Sequence, residues 1–505
     1  MPAALSRLRL FFARHGLVVL LMVLALAARL QDLDDLPLDF HPTRQLFAAL
    51  KARGLYAQHA PSIPDWQRNL AAQQLQQTSI IEPPLMETLT AWTYTLLGRD
   101  DLRVPRVYAI LAWVLGGAAL YALARQQTGP AGGVTAAAFY LFLPYGIIAS
   151  RSFQPDPLMV ALTAAFLWAG WRWLERRTWT WAAVAGALGG LAIFVKLIAA
   201  FFVGGAFAGL ALGAIGWKKA LRDKQLWLAG GLVILPAAVY LAWGLWAAGY
   251  LGQQMGGRFI PSLLLDPLFY LRWEDKINQV VGHLPMALGF LGAWMFTPKP
   301  ARALALGLWG GYGLYGLVFN YHNSTHDYYQ LPLILVVALS LAPLGQALSD
   351  TWRAQWRGRW AQALMVGLLI FVLLAVSYDA RRTLRRVDYR PLAGDYAALG
   401  AQIATLSGRD AVVALTDDYG YSLAYWAWLN AAVWPAQSDL VYYQMLRGDQ
   451  APNFATLFQT LAAGKAFFVI SDFEELSRQP ELAAYLQTHY PVFVQTPFFV
   501  VYDLR

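Results

Sequence analysis

Cysteine is absent from the 505 residues, which excludes disulfides, thiolate metal sites and cysteine nucleophiles. Charge is scarce as well. Asp, Glu, Lys and Arg make up 14% of the chain against 58% hydrophobic residues, and the mean hydropathy is +0.41. A soluble domain carries about 25% charged residues. Heptads, short-period repeats and low-complexity tracts are missing, which argues against coiled coils and repeat arrays. Gly-rich phosphate loops, a serine nucleophile elbow and a His-Glu-x-x-His pair are missing too. What remains is the composition of a polytopic α-helical membrane protein. Its net charge of +9 then reads as Lys and Arg kept on the cytoplasmic face, with no nucleic-acid partner implied.

The basic start, Arg7, Arg9 and Arg14, precedes a first apolar run at 16–30. Further runs at 104–124, 131–149, 157–173, 179–197, 199–217, 226–249, 280–297, 302–320, 329–347 and 362–378 bring the expectation to about eleven spans. The fourth and fifth of these later runs are nearly continuous and read as a broken pair. With the N-terminus in the cytoplasm, the basic connections fall on one side. They carry Arg125, then Arg172, Arg176 and Arg177, then Lys218, Lys219, Arg222 and Lys224, then Lys299 and Arg302, then Arg353, Arg357 and Arg359. Short basic loops belong on the cytoplasmic side. The opposite face receives the loop 31–103, the turn 150–156, the loop 250–280, the turn 320–329 and the tail.

The first outer loop holds two amphipathic segments, at 45–56 and from Glu82 through Leu96, suited to lying along the interface. Residues 64–77 are polar and Gln-rich. From about 381 the pattern turns soluble. Helices near 391–406, 421–429, 454–463 and 475–489 alternate with strands at 411–416, 466–471, 492–495 and 498–503, the pattern of a small α/β domain. The expected division is a membrane module at 1–380 and an extracytoplasmic domain at 381–505.

Four constellations can carry chemistry. Leu38-Asp39-Phe40-His41-Pro42-Thr43-Arg44-Gln45 packs an acid, an imidazole and a guanidinium just after the first span. Asp39 or His41 could act as a general base, and Arg44 could grip phosphate or carboxylate. Arg151-Ser152-Phe153-Gln154-Pro155-Asp156-Pro157 places an acid at the start of a span, which is costly unless paired or functional. Asp156 also has the position of a helix cap. Lys196 interrupts two apolar runs, where it either snorkels or holds an anionic headgroup. Tyr321 to Pro332 is the densest polar cluster beside a span, with His322 and His326 at i, i+4 spacing. Zinc with Asp327 is the weaker reading, since it needs a further ligand. Contact of His326 and Tyr329 with phosphate or sugar is favoured, with Asp327 and Tyr328 lining the substrate. In the tail, Thr416-Asp417-Asp418-Tyr419-Gly420 follows a strand and reads first as a helix cap.

Taken in order, these features resemble the GT-C glycosyltransferases, and within them the protein O-mannosyltransferases and the aminoarabinose transferases of lipid A. The features are a first-loop acid, the Glu82-Pro83-Pro84-Leu85 start of a loop helix and Arg103 and Arg106 before the second span. Asp156, Lys196 and a His-Asp-Tyr-Tyr turn leading to Leu331-Pro332 follow. The resemblance covers roughly 1–380. It implies an integral protein of a prokaryotic plasma membrane whose active site and C-terminal domain lie outside the cytoplasm. It further implies transfer of a sugar, with inversion, from a polyprenyl-phosphate donor to a lipid, glycan or protein acceptor.

By position, Asp39 and Asp156 match the family's two loop acids and Lys196 its phosphate-binding lysine. Arg44, Arg151 and Arg258 are further cations for the departing phosphate, and Glu82 lines the substrate. Where the family commonly has adjacent Asp-Glu, this chain has Asp39 followed by Phe40 and His41, so the base is Asp39 or His41. Asp39 and Asp156 could instead share one divalent ion, Mg or Mn. A transporter or flippase for lipid-linked sugars is the competing class, but it calls for internal repeats that this chain lacks. A non-catalytic envelope-binding protein is the third.

Overall fold

Proline, glycine and one lysine set the breaks in an otherwise helical chain. The structure, a computed structural model, describes residues 2–60, 63–79, 81–252, 258–356, 358–447 and 453–505. Arg357 and the side chains of Arg7, Arg9 and Arg14 lie outside the described residues. Two units emerge. The first comprises Met1–Leu33, Ile80–Pro83 and Arg106–Arg385, and the second Asp34–Ser79, Pro84–Pro105 and Arg386–Arg505. The division does not follow a single cut near 380. Three first-loop helices, Pro42–Ala57, Asp65–Gln77 and Leu85–Leu97, belong with the tail.

In the first unit, four helices among the described residues are long and apolar enough to cross a membrane: Arg103–Thr128, Lys224–Ala247, Asp327–Gln355 and Arg359–Leu384. Shorter apolar helices run His15–Leu30, Pro130–Phe142, Trp179–Val195 and Ala199–Ile215. The apolar runs are thus more interrupted than their composition suggests. The run expected at 131–149 is cut after Phe142, where Leu143 leaves the helical region at ψ 126° and Pro144 opens a short helix, Pro144–Ala149. A residue before proline is driven out of the α region by the pyrrolidine ring. The broken pair at 179–217 parts at Lys196, which is extended at φ −155° and ψ 123°. The loop 250–280 holds an amphipathic helix, Pro267–Val280, where only a loop is expected. It is capped by Asp266, whose carboxylate accepts from the Leu268 N–H, with proline at the first helical position.

Helices Ala199–Ala208 and Lys299–Val318 meet backbone to backbone. A Cβ on Gly307 would lie 2.2 Å from the Gly205 carbonyl oxygen, and one on Gly205 2.3 Å from that of Gly307. Gly205 with Gly209 and Gly307 with Gly311 are small residues spaced four apart, which lets membrane helices approach closely.

The second unit is built on a five-stranded sheet, β1 (Val412–Leu415), β2 (Ala431–Val433), β3 (Phe467–Ile470), β4 (Val492–Gln495) and β5 (Val500–Asp503), in the order β2-β1-β3-β5-β4. The pairs β1·β2 and β1·β3 are parallel, and β3·β5 and β4·β5 antiparallel. Alternate residues of β1 and β3 bury opposite ways. Val412, Ala414, Phe467 and Val469 pack under helix Arg390–Ser407 through Leu392, Tyr396, Leu399 and Ile403. Val413, Leu415, Phe468 and Ile470 pack under Phe458, Leu482 and Leu486. Both faces are covered, so these strands read as continuous apolar runs. The short β2 and helix Gln437–Arg447 are absent from the sequence reading, because three half-buried residues leave no alternation to detect. The Gln-rich segment is helix Asp65–Gln77. Its Gln74 accepts from the buried Arg53 guanidinium at 2.8 Å, and Arg53 also donates to the carbonyls of Ala424 and Tyr425 and stacks 3.8 Å from the Trp428 ring centroid.

Candidate active site

Asp156 begins helix Asp156–Arg176, and Lys196 sits in the gap after helix Trp179–Val195. The two meet. Lys196 Nζ donates to Asp156 Oδ1 at 2.9 Å and Oδ2 at 2.8 Å, with the side chains 4% and 0% exposed. Asp156 therefore does not cap its helix: no side-chain cap hydrogen bond forms, and the cap position is Pro155. The positive end of the helix still favours a carboxylate there. At Lys196 the backbone turns out of the helix, and the ammonium reaches across to the neighbouring helix.

The polar turn supplies the walls. Asp327–Gln330 is a single 3₁₀ turn, and it points the rings of Tyr328 and Tyr329 at Lys196, with Nζ 5.2 and 4.9 Å from their centroids. Both tyrosines are buried, so Tyr329 here faces the ammonium. Gln330 anchors the turn by accepting from Tyr312 Oη at 2.7 Å and donating to the Asn323 carbonyl at 3.1 Å. Tyr145 lies near Asp327, and Asp327 Oδ1 accepts from the Tyr328 N–H at 2.7 Å. His322 and His326 stack with ring centroids 5.8 Å apart.

Lys196 also lines a narrow cleft of about 30 Å³ with Glu82, Arg258 and Tyr240, walled by apolar residues that include Ile193, Phe194 and Leu241. Three of the residues singled out from sequence are thus neighbours. Arg151 is placed differently. Its guanidinium donates to the carbonyls of Gln31 and Asp32 at 2.7 and 2.8 Å, which ties the turn to the end of the first helix. Arg29 makes the reciprocal tie, donating to Ser150 Oγ at 2.6 Å and to the Leu141 carbonyl at 2.8 Å. Sequence reasoning misses Arg29, because one arginine closing an apolar run looks like any interfacial cation.

Asp39, His41 and Arg44 stand in the second unit. His41 occupies the left-handed region at φ 43° and caps helix Pro42–Ala57 through its backbone, its ring edge-on to Phe40. Gln45 Nε2 pins the loop by donating to the carbonyls of Pro37 and Phe40 at 3.0 and 2.6 Å. The motif faces the tail. Thr43 Oγ1 donates to the Asp417 carbonyl at 3.0 Å, and Phe47 packs on Tyr421. Burial, then the carboxylates of Asp39, Asp417 and Asp35, push the Tyr389 phenol above its usual range. Burial and Asp418 raise that of Tyr421, and nearby Arg44 opposes them. Asp418 accepts from the N–H groups of Gly420 and Ser422 at 3.0 and 2.9 Å, the local turn-capping role expected of this stretch.

For metals the described residues offer little. No group of three or more His, Cys, Asp or Glu side chains gathers among them. Both Asp156 oxygens bond to Lys196, so a divalent ion there would have to displace the ammonium.

Residues 82–243 match the family described as dolichyl-phosphate-mannose-protein mannosyltransferase. A sequence search of curated proteins finds no match. Among solved structures, ArnT from Cupriavidus metallidurans bound to undecaprenyl phosphate is similar at TM-score 0.54 and 18% identity, over 97% of this chain and 98% of that one. Its apo form gives 0.56 and 17% over the same shares. The archaeal oligosaccharyltransferase AglB from Archaeoglobus fulgidus, in complex with an inhibitory peptide and a dolichol-phosphate, gives 0.52 and 11%, over 97% and 74%. The fold is the one these solved structures share, apolar helices, four of them among the described residues long enough to cross a membrane, together with an α/β unit.

Proposed function

We propose that the chain is a membrane glycosyltransferase that moves a sugar from a polyprenyl-phosphate donor to an extracytoplasmic acceptor, with inversion. The observation that carries this reading is the cleft of Lys196, Arg258 and Glu82, where two cations adjoin an apolar wall. A lipid phosphate presents that same junction of charge and hydrocarbon. The lipid phosphates in the ArnT and AglB structures support the donor class.

In the reaction an acceptor oxygen attacks the anomeric carbon as the bond from that carbon to the phosphate oxygen breaks. The acceptor proton passes to Asp39 or His41. Negative charge grows on the departing phosphate, and preplaced cations stabilise it most where water is excluded. An ammonium has three N–H donors. Asp156 takes two of them and aims the lysine, leaving the third for the phosphate beside Arg258. Glu82 contacts the substrate at the edge of the cleft.

Purified protein incubated with radiolabelled undecaprenyl-phosphate sugars and envelope lipid, glycan or protein acceptors tests this. Transfer is expected, lost in Lys196→Gln and Arg258→Gln. Asp39→Asn compared with His41→Gln identifies the base by which variant loses turnover while still binding donor. Transbilayer movement without transfer, or binding without either, overturns the reading.

A further inference from the structure

A second cationic cavity lies far from the Asp156–Lys196 pair. Asp156 and Arg176 are the two ends of one 21-residue helix, which at 1.5 Å per residue spans about 30 Å, the thickness of a bilayer's hydrocarbon core. Just past Arg176 a cavity of about 530 Å³ opens, lined by Arg177, Lys218, Lys219, Arg222, Asp223 and Lys224, with Trp179 in its wall. It therefore lies at the other end of that helix from the candidate active site.

Its one acid is already engaged. Asp223 forms an ion pair with Arg177, and its Oδ1 accepts from the N–H groups of Gln225 and Leu226 at 3.0 and 3.2 Å. Arg177 adopts a left-handed φ of 51°, and its guanidinium stacks 4.4 Å from the Trp173 ring centroid. Trp173 Nε1 in turn donates to Gln225 Oε1 at 2.8 Å, and Gln225 Nε2 donates to the Arg177 carbonyl at 3.1 Å. The wall is thus a closed network. Among the described residues Lys219, Arg222 and Lys224 make no ion pair. Trp179 and Trp217 are 54% and 60% exposed, as residues of an interfacial aromatic belt are.

We infer that this cavity binds the headgroup of an anionic diacyl phospholipid, its phosphodiester seated between Lys219, Arg222 and Lys224 and its acyl chains in the adjoining bilayer. Basic recesses between membrane helices take such headgroups, and each cation near the surface adds to the attraction. A merely basic face would attract anionic lipid without retaining it. A recess walled by a fixed network retains it.

The test is native mass spectrometry of the full chain, released from nanodiscs holding equal phosphatidylglycerol and phosphatidylcholine. Phosphatidylglycerol is expected to stay bound. In the triple variant Lys219→Gln/Arg222→Gln/Lys224→Gln its retention is expected to fall at least about tenfold. Exchanging lysine and arginine at the same three positions should preserve it, which separates loss of charge from misfolding. Neutralising Arg353 and Arg359 instead should leave it unchanged. Equal retention of both lipids, an unaltered triple variant, or an equal fall in the Arg353/Arg359 variant would each overturn the assignment. Displacement of the lipid by excess inorganic phosphate would assign the cavity to a free anion and overturn the lipid.

Discussion

Lys196 and Asp156 are joined by two hydrogen bonds, 2.9 and 2.8 Å, with both side chains out of reach of water. Removing one partner strands the other as a buried charge. Lys196→Met and Asp156→Leu are each expected to cost about 3–5 kcal/mol, and the double variant far less than their sum. Thermal unfolding of the three proteins in detergent measures this. Transfer activity should stay absent in the stable double variant, because the phosphate then loses its ammonium. Recovered activity would leave the pair a structural role only.

Arg151 bridges the carbonyls of Gln31 and Asp32. A lysine cannot reproduce that planar fork, so Arg151→Lys leaves a carbonyl unsatisfied, at a cost of about 1–3 kcal/mol. If Arg151 held donor phosphate, the same substitution would weaken donor binding without lowering the melting temperature. Measuring both separates the sequence expectation from the observed contact.

Gly307 leaves room for the Gly205 carbonyl oxygen, 2.2 Å from where a Cβ would stand. Gly307→Ala must therefore push helices apart, with an expected loss of about 1–3 kcal/mol. Gly310→Ala, on the same helix with nothing within 4 Å of its added Cβ, is the matched control and should be neutral. Melting temperatures of the two variants decide it.

Asp417 keeps part of its surface in solvent, yet the packed turn around it and the carboxylates of Asp418 and Asp472 push its pKa up to about 7. A carboxyl whose folded pKa is raised holds its proton longer in the folded than in the unfolded state. Its contribution is unfavourable once the unfolded chain has lost that proton, so stability falls as pH rises from about 4 to 7. Asp417→Asn should unfold at a higher temperature than the parent at pH 8. The gap should close by pH 4. Melting curves across that range, read with a probe in the C-terminal sheet, measure it.

Composition and local periodicity carried much of this protein. A low share of charge marks a membrane chain, because transfer of each charged side chain into hydrocarbon is costly wherever it occurs. The α/β tail is legible from its buried strands, and 467–470 and 492–495 fall where apolar runs predict them. Asp39, His41, Asp156, Lys196 and the polar turn before Leu331 all stand out for one reason: each places polar groups beside an apolar run. The sequence reading does not reveal the break at Leu143 and Pro144, the short β2 or the tie made by Arg29. The last two depend on neighbours distant in the chain.

The tertiary structure decided the partners. Asp156 and Lys196 are 40 residues apart in the chain, and sequence alone offered each a separate role, cap or snorkel, catalyst or phosphate ligand. Packing of helices Asp156–Arg176 and Trp179–Val195 brings them within hydrogen-bonding distance and makes them one group. It likewise turned Arg151 into a tie on the first helix and drew the first-loop helices into the unit that holds the tail. Burial preferences act residue by residue and can be read along a chain. Pairing depends on which helices touch, and long-range packing alone sets that.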